Sequence, residues 1–276
     1  MDGSYGVLHP ASMSSELLSL VGGGRVYSLA HPISEETPFA DTTSAFARRL
    51  RRTHADPFDE GPFREAAEIL EMSCHMATHI EGLCHIAEVV DGEPLLYGGT
   101  PSGHALNGAA FTELGIEQCP PVVSRGILLD VASHLGVDVL PDSYGVTITD
   151  ITGCLNASGL DIQSGDTVLI RTGFSKLRAL GRERFQTVGP GPTPEACRWL
   201  ADREIGLTGS DTMSFEQVPS PHIGHLELIR RRGISIIKQA NLEDLARDSV
   251  SEFLFVALPL KLIGATASPV NPIAVA

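Results

Sequence analysis

The segment Ser73–His85, SCHMATHIEGLCH, carries three of the chain's ten histidines, at positions 75, 79 and 85. His75, Ala77, His79, Glu81, Leu83 and His85 share one parity. An extended backbone therefore places them on one face and Met76 and Ile80 on the other. A helix would bring His75 and His79 together but turn Glu81 about 160° away from His79, at roughly 100° per residue. Only the extended reading gathers two imidazoles and a carboxylate at one point. That set of nitrogen and oxygen donors suits Zn²⁺, Mn²⁺ or Fe²⁺. His85 follows the carboxylate by four residues, past Gly82, where a turn would return its ring to the same place. The alternative is a group of ordinary buried or surface histidines. Position 76 is methionine, so the segment is not the helical HExxH pattern. Cys74 and Cys84 flank the histidines and read as small core residues sooner than ligands.

Around this segment the chain has the composition of a soluble globular protein. Of 276 residues, 42% are hydrophobic and 20% charged, values that argue against disorder or a fibrous repeat. Acidic residues outnumber basic ones by 34 to 20, a net charge of -14 that opposes phosphate backbones, so nucleic acid is not an expected partner. No apolar run is long enough to span a membrane, and the first 20 residues lack the pattern of a secretory signal. Cys74, Cys84, Cys119, Cys154 and Cys197 are odd in number and never form a CxxC pair. They read as free thiols of a cytoplasmic protein.

Strand-like runs are expected at Val26–Leu29, Val122–Val131, Thr167–Arg171, Thr212–Phe215, Ile234–Ile237 and Phe253–Leu258. Thr193 followed by Pro194 starts a helix over Pro194–Arg203, and His225–Arg231 reads as another, ended at Gly233. A short helix is expected around Ser15–Leu20. Residues 38–68 and Lys176–Pro192 read as loops, the latter mobile. The alternation predicts an α/β fold: a single domain with a mixed β-sheet and flanking helices. Residues 1–24 form an N-terminal arm ahead of a domain at 25–276.

The histidine segment also resembles the signature of the metal-dependent cyclase-like hydrolases, the family of bacterial kynurenine formamidase and isatin hydrolase. Their motif is His-x-Gly-Thr-His-x-Asp, with a further histidine four residues later. His75, Thr78, His79 and His85 match it; Ala77 replaces the glycine and Glu81 the aspartate. Tyr27–Pro38, Asp91–Gly99, Ser124–Ala132, Ser164–Phe174 and Gly209–Ile237 resemble other parts of the same family, so the likeness covers about residues 25–260. It implies the swivelling β/β/α fold and one divalent metal ion, Zn or Mn. His75, His79 and Glu81 would be the ligands and His85 the acid/base. It also implies hydrolysis of an amide, formamide or cyclic amide by metal-activated water. A second family histidine matches His225 by its spacing to Gly233, with His222 as the rival. Lys238 stands where the family commonly has a glutamate; its ammonium is expected at the site, unless a strand-end shift brings Gln239 there instead.

No GxSxG elbow supports a serine hydrolase, and Gly22-Gly23-Gly24 lacks both nucleotide-binding spacings. Arg171 reads as a structural ion pair or a site residue, and Glu216 as a histidine's partner or a loop cap. The family assembles as oligomers, and Phe39, Phe46, Phe58 and Phe63 offer apolar surface, so a homo-oligomer, most simply a dimer, is expected. The second functional class is a diverged relative that binds a small molecule, or acts as a cyclase or dehydratase.

Overall fold

Four consecutive buried runs form the middle of the structure. Val122–Asp130 (β3), Thr167–Arg171 (β4), Leu207–Ser210 (β5) and Ser235–Lys238 (β6) are flanked by turn residues and lie parallel to one another. Apolar side chains on both faces of such strands require cover on both sides. This computed structural model describes residues 5–8, 21, 24–39, 44–56, 61–180, 182–220 and 222–276. The expected helix at Ser15–Leu20, and Phe58, lie outside the described residues.

Five antiparallel strands complete a nine-stranded sheet. They are Val26–Ser28 (β1), His79–Glu81 (β2), Glu252–Ala257 (β7), Ala267–Pro269 (β8) and Ile273–Val275 (β9), and the order is β1-β9-β7-β3-β4-β5-β6-β2-β8. The result is the mixed sheet with flanking helices expected of the cyclase-like fold. The first crossover carries helix α1, Ile148–Ser158. Thr147 and Asp150 close its N-terminus as a reciprocal capping box, and Gly159, at φ 69°, ends it. The second carries α2, Pro194–Ala201, with Thr193 as its cap and proline at the first position. The third is α3, Ile223–His225, which runs directly into a π-helical stretch, Leu226–Arg231. Gly233 then turns the chain into β6 at φ 66°; a Cβ there would lie 2.6 Å from the Tyr97 ring.

Three local expectations are corrected. Lys176–Pro192 is not a bare loop: it holds helical turns at Phe174–Leu180 and Arg182–Thr187, with Phe174 stacked on Phe185 at 5.6 Å. Thr212–Phe215 is a series of bends and not a strand, because Phe215 takes a left-handed φ of 69°. Residues 38–68 contribute to an antiparallel ribbon, Ala47–Arg52 with Ala67–Glu71, on which Leu50, Ile69 and Leu70 are exposed, as is Phe63 beside it. Among the described residues, no helix is long and apolar enough to cross a membrane.

Candidate metal centre

The site forms where β2 lies antiparallel to the end of β6, with Lys238 paired to His79 and Ile237 to Ile80. Alternation in β2 sends His79 and Glu81 to one face and Ile80 to the other, where it joins the main core. Lys238, directly across from His79, shares the face of the two site residues.

The extended arrangement holds only for His79–Glu81. The chain before it turns: Met76 N–H donates to Ser73 O at 3.2 Å, and Ala77 is left-handed at φ 52°. A second turn follows, closed by His85 N–H to Gly82 O at 3.0 Å. The extended, shared-parity expectation for His75 is therefore corrected, whereas His85 returns through the turn expected past Gly82. These two rings reach Glu81 by turns on either side of a three-residue strand.

Glu81 is completely buried, and neither of its oxygens receives a well-directed hydrogen bond. Around Oε1 stand His75 Nδ1 at 3.7 Å, His79 Nε2 at 3.9 Å and His85 Nε2 at 3.4 Å. His225 Nε2 is 3.7 Å from Oε2. Most of these separations exceed hydrogen-bonding range, and even the His85 contact is long for one. Lys238 Nζ lies 2.6 Å from Oε1 as the ion-pair partner. One atom each of His75, Glu81 and His85 falls within 4.8 Å of the others. The structure thus brings together all six residues singled out in the sequence: His75, His79, Glu81, His85, His225 and Lys238.

The outer contacts fix which nitrogen each ring presents. His79 Nδ1 lies 2.8 Å from Ala77 O, so it carries the proton and leaves Nε2 with a lone pair. That Nε2 is buried without a partner. His75 Nε2 meets Thr266 Oγ1 at 2.9 Å and turns Nδ1 inward. His225 Nδ1 bonds Glu216, which also accepts from Gly224 N–H at 2.7 Å and Ser220 Oγ at 3.0 Å. Glu216 therefore serves both as a histidine's partner and as a loop cap. His222 is exposed at a left-handed position, with Nδ1 3.5 Å from Glu216 Oε1, and it is His225 that faces Glu81. Arg171 pairs with Asp130 at 2.7 Å and Glu243 at 2.9 Å, a structural arrangement.

Electrostatics follow from burial and from Lys238. Burial alone would raise the Glu81 carboxyl, but the Lys238 ammonium beside it outweighs that and holds the group well below the usual carboxylate range. Burial lowers the imidazoles of His79, His85 and His225, keeping them neutral; Lys238 pushes His225 in the same direction. Ring nitrogens facing a buried carboxylate whose close charged contact is one ammonium form a nitrogen and oxygen donor set. These residues fit a divalent ion. Thr266, Ser220 and Tyr5 carried no signal in the sequence. Tyr5 buries its ring beneath the turn, accepting from Leu83 N–H at 2.8 Å and donating to Leu114 O at 2.8 Å.

Known proteins share this fold. A cyclase family model, described as "Putative cyclase", matches residues 27–217. Kynurenine formamidase of Delftia acidovorans is 35% identical over 102 residues, which is 33% of this chain and 47% of that protein, so the match spans about half the relative's length. Cyclase-like protein 1 of Oryza sativa subsp. japonica is 25% identical over 254 residues, covering 91% of this chain and 78% of the relative. A crystal structure described as a novel cyclase superposes with TM-score 0.85 at 29% identity, covering 95% of this chain and 93% of the other. Isatin hydrolase A from Labrenzia aggregata shares the fold, with TM-score 0.67, 22% identity and coverages of 94% and 97%. With the family model matching well over half of its length, the chain belongs to the cyclase family.

Proposed function

We propose that the protein is a metal-dependent hydrolase that cleaves an amide, formamide or cyclic-amide C–N bond. The observation that carries this reading is Glu81, fully buried, with four imidazole nitrogens standing 3.4–3.9 Å from its oxygens and the Lys238 ammonium at 2.6 Å. His75, His79 and Glu81 would hold one divalent ion, zinc or manganese. When bound, the ion supplies the Lewis acidity that makes water nucleophilic at neutral pH and polarises the acyl carbonyl.

The chain's own residues supply the rest. His85, whose side chain is 29% exposed, sits on the open side of the cluster and takes the proton as water adds to the acyl carbon. It returns that proton to nitrogen as the C–N bond breaks, giving an acid and an amine. His225, oriented by Glu216, borders the same space. Lys238 keeps Glu81 ionised and adds positive potential for the charge developing on the carbonyl oxygen. The working unit is read as a cytoplasmic homodimer of a domain at 25–276 preceded by an arm at 1–24. The exposed apolar residues of the 47–71 ribbon and the free thiols among the described residues support this.

A second reading, a metal-free binder or a cyclase or dehydratase, is favoured by one observation: Lys238 already gives Glu81 a counter-charge. Elemental analysis separates the two. Protein purified without chelator should carry about one zinc or manganese per chain, and His79→Ala should lose most of it on dialysis. Equal metal content in wild type and variant would overturn the site.

A further inference from the structure

The His225 ring has a second side. Its Nε2 faces Glu81 Oε2 at 3.7 Å, while Nδ1 points away from that cluster to Glu216 Oε1. A further imidazole, His222, places its Nδ1 3.5 Å from the same Glu216 oxygen. The two rings stand edge to face, with centroids 5.7 Å apart and an interplanar angle of 83°. One donor atom each of Glu216, His222 and His225 falls within 4.8 Å of the others. Among the described residues, only this group and that of His75, Glu81 and His85 bring three metal-ligating side chains so close.

The surroundings set these atoms in place. Glu216 is 1% exposed, and its Oε2 accepts from Gly224 N–H at 2.7 Å and Ser220 Oγ at 3.0 Å. That leaves Oε1 turned to the two rings. Glycine is needed at 224 for this approach, since a Cβ there would lie 2.8 Å from Glu216 Oε2. Ser220 Oγ also accepts from His222 N–H at 3.0 Å, so one hydroxyl pins both the carboxylate and the backbone of the second ring. His222 is held in a left-handed conformation, at φ 58°, which costs a non-glycine residue energy. Its 3.5 Å contact is too long to repay that as a hydrogen bond. It is the right length for two ligands of one ion: donors bound to zinc at about 2.0–2.2 Å stand roughly 3.3–3.6 Å apart in a tetrahedron.

We propose that Glu216 Oε1, His222 Nδ1 and His225 Nδ1 form a second divalent-cation site, on the outer side of His225, that takes zinc in preference to magnesium or calcium. Two imidazoles and one carboxylate suit a borderline ion, whereas the hard cations prefer oxygen alone. The His222 side chain is 67% exposed, so the ion enters from solvent. It must open the His225–Glu216 hydrogen bond, which makes this the weaker site, emptied by dialysis. The two sites share a ring. A cation on Nδ1 leaves the imidazole proton to Nε2, so His225 then presents an N–H to Glu81 where it had a lone pair. The outer site stands independently of which bond the protein cleaves.

The test is zinc chloride titrated by calorimetry into the dialysed full chain as wild type, His222→Asn and His79→Ala. Asparagine tolerates the left-handed backbone and removes the imidazole. Wild type should take up a further zinc beyond its inner ion, H222N should bind that zinc about tenfold or more weakly, and H79A should keep it. Magnesium chloride should give no corresponding heat. In zinc-loaded protein labelled with nitrogen-15 histidine, the His225 resonances should pass from the Nδ1-protonated to the Nε2-protonated form as the outer zinc binds. They should stay in place in H222N over the same range. Absence of further zinc binding in wild type overturns the site, as does equal binding by wild type and H222N, both folded by circular dichroism. Loss of the further zinc in H79A but not in H222N assigns it to the inner cluster and overturns the proposal too. Binding that depends on His222 while His225 keeps its proton on Nδ1 also overturns it, because the ion is then not on His225.

Discussion

Replacing Lys238 with methionine keeps the aliphatic stem and deletes one charge. Among the described residues, that charge is, histidines aside, the only ion-pair partner of a completely buried carboxylate, at 2.6 Å from Glu81 Oε1. Removing one member of a buried pair costs about 3–5 kcal/mol, because the other is left uncompensated. Protonation of Glu81 offers partial escape, since Lys238 is the largest influence opposing burial there, so a loss of about 3 kcal/mol is expected at neutral pH. The Glu81 carboxyl is depressed in the folded state. Its contribution is therefore present above the unfolded value of about 4.5 and is lost as pH falls through the folded value. The K238M deficit should shrink correspondingly in acid. A bound divalent ion supplies the missing charge, so the deficit should also shrink with metal. By linkage, K238M should then bind metal about 100-fold more tightly than wild type, as about 3 kcal/mol requires. Urea unfolding with chelator and with saturating zinc, at neutral pH and in acid, reads all three effects. A deficit below about 1 kcal/mol without metal, or an equal deficit with and without it, would refute the account.

Three further outcomes follow from the same geometry. Glu216→Gln keeps the size of the side chain but offers His225 Nδ1 a weaker acceptor; turnover should drop about 10–100-fold with the fold intact by circular dichroism and metal content unchanged. Burial raises the Asp211 carboxyl to about 6 despite two hydrogen bonds from Thr172. Its contribution is thus full below the unfolded value of about 3.8 and lost as pH rises through about 6, and Asp211→Asn should abolish that component of the stability–pH curve between those limits, measured by denaturant unfolding. Sedimentation at micromolar concentration should give a species of twice the 29.4 kDa chain mass, and a species of chain mass alone would exclude the dimer.

The sheet was legible where apolar runs were bounded by turn residues. Val122–Asp130, Thr167–Arg171 and Glu252–Ala257 lie within a residue of their expected limits. Helix α2 was legible from Thr193 and Pro194, since capping is local chemistry. The Phe174–Phe185 stack was hidden because its glycine- and arginine-rich surroundings suggest a loop while tertiary packing orders it. In the site, the donors were readable but their supports were not. Thr266 lies 191 residues from His75, and the Leu114 carbonyl lies 109 residues from Tyr5, so no local pattern connects them. Lys238 reaches Glu81 through the register of β6 on β2, a non-local fact to which only the family resemblance pointed.

Ala77 has a consequence for how relatives of this chain are found. It adopts a left-handed φ of 52°, is fully buried, and directs its carbonyl at His79 Nδ1. A search pattern demanding glycine at that place and aspartate at the place of Glu81 would discard this sequence, although the turn it makes is one that glycine favours. What persists there is a backbone conformation that one methyl group can tolerate. Larger side chains face both the φ penalty, of order 1–3 kcal/mol, and a filled interior. Glycine and alanine are then nearly the whole alphabet available to position 77, and a pattern written with both letters recovers chains that a pattern written with one leaves behind.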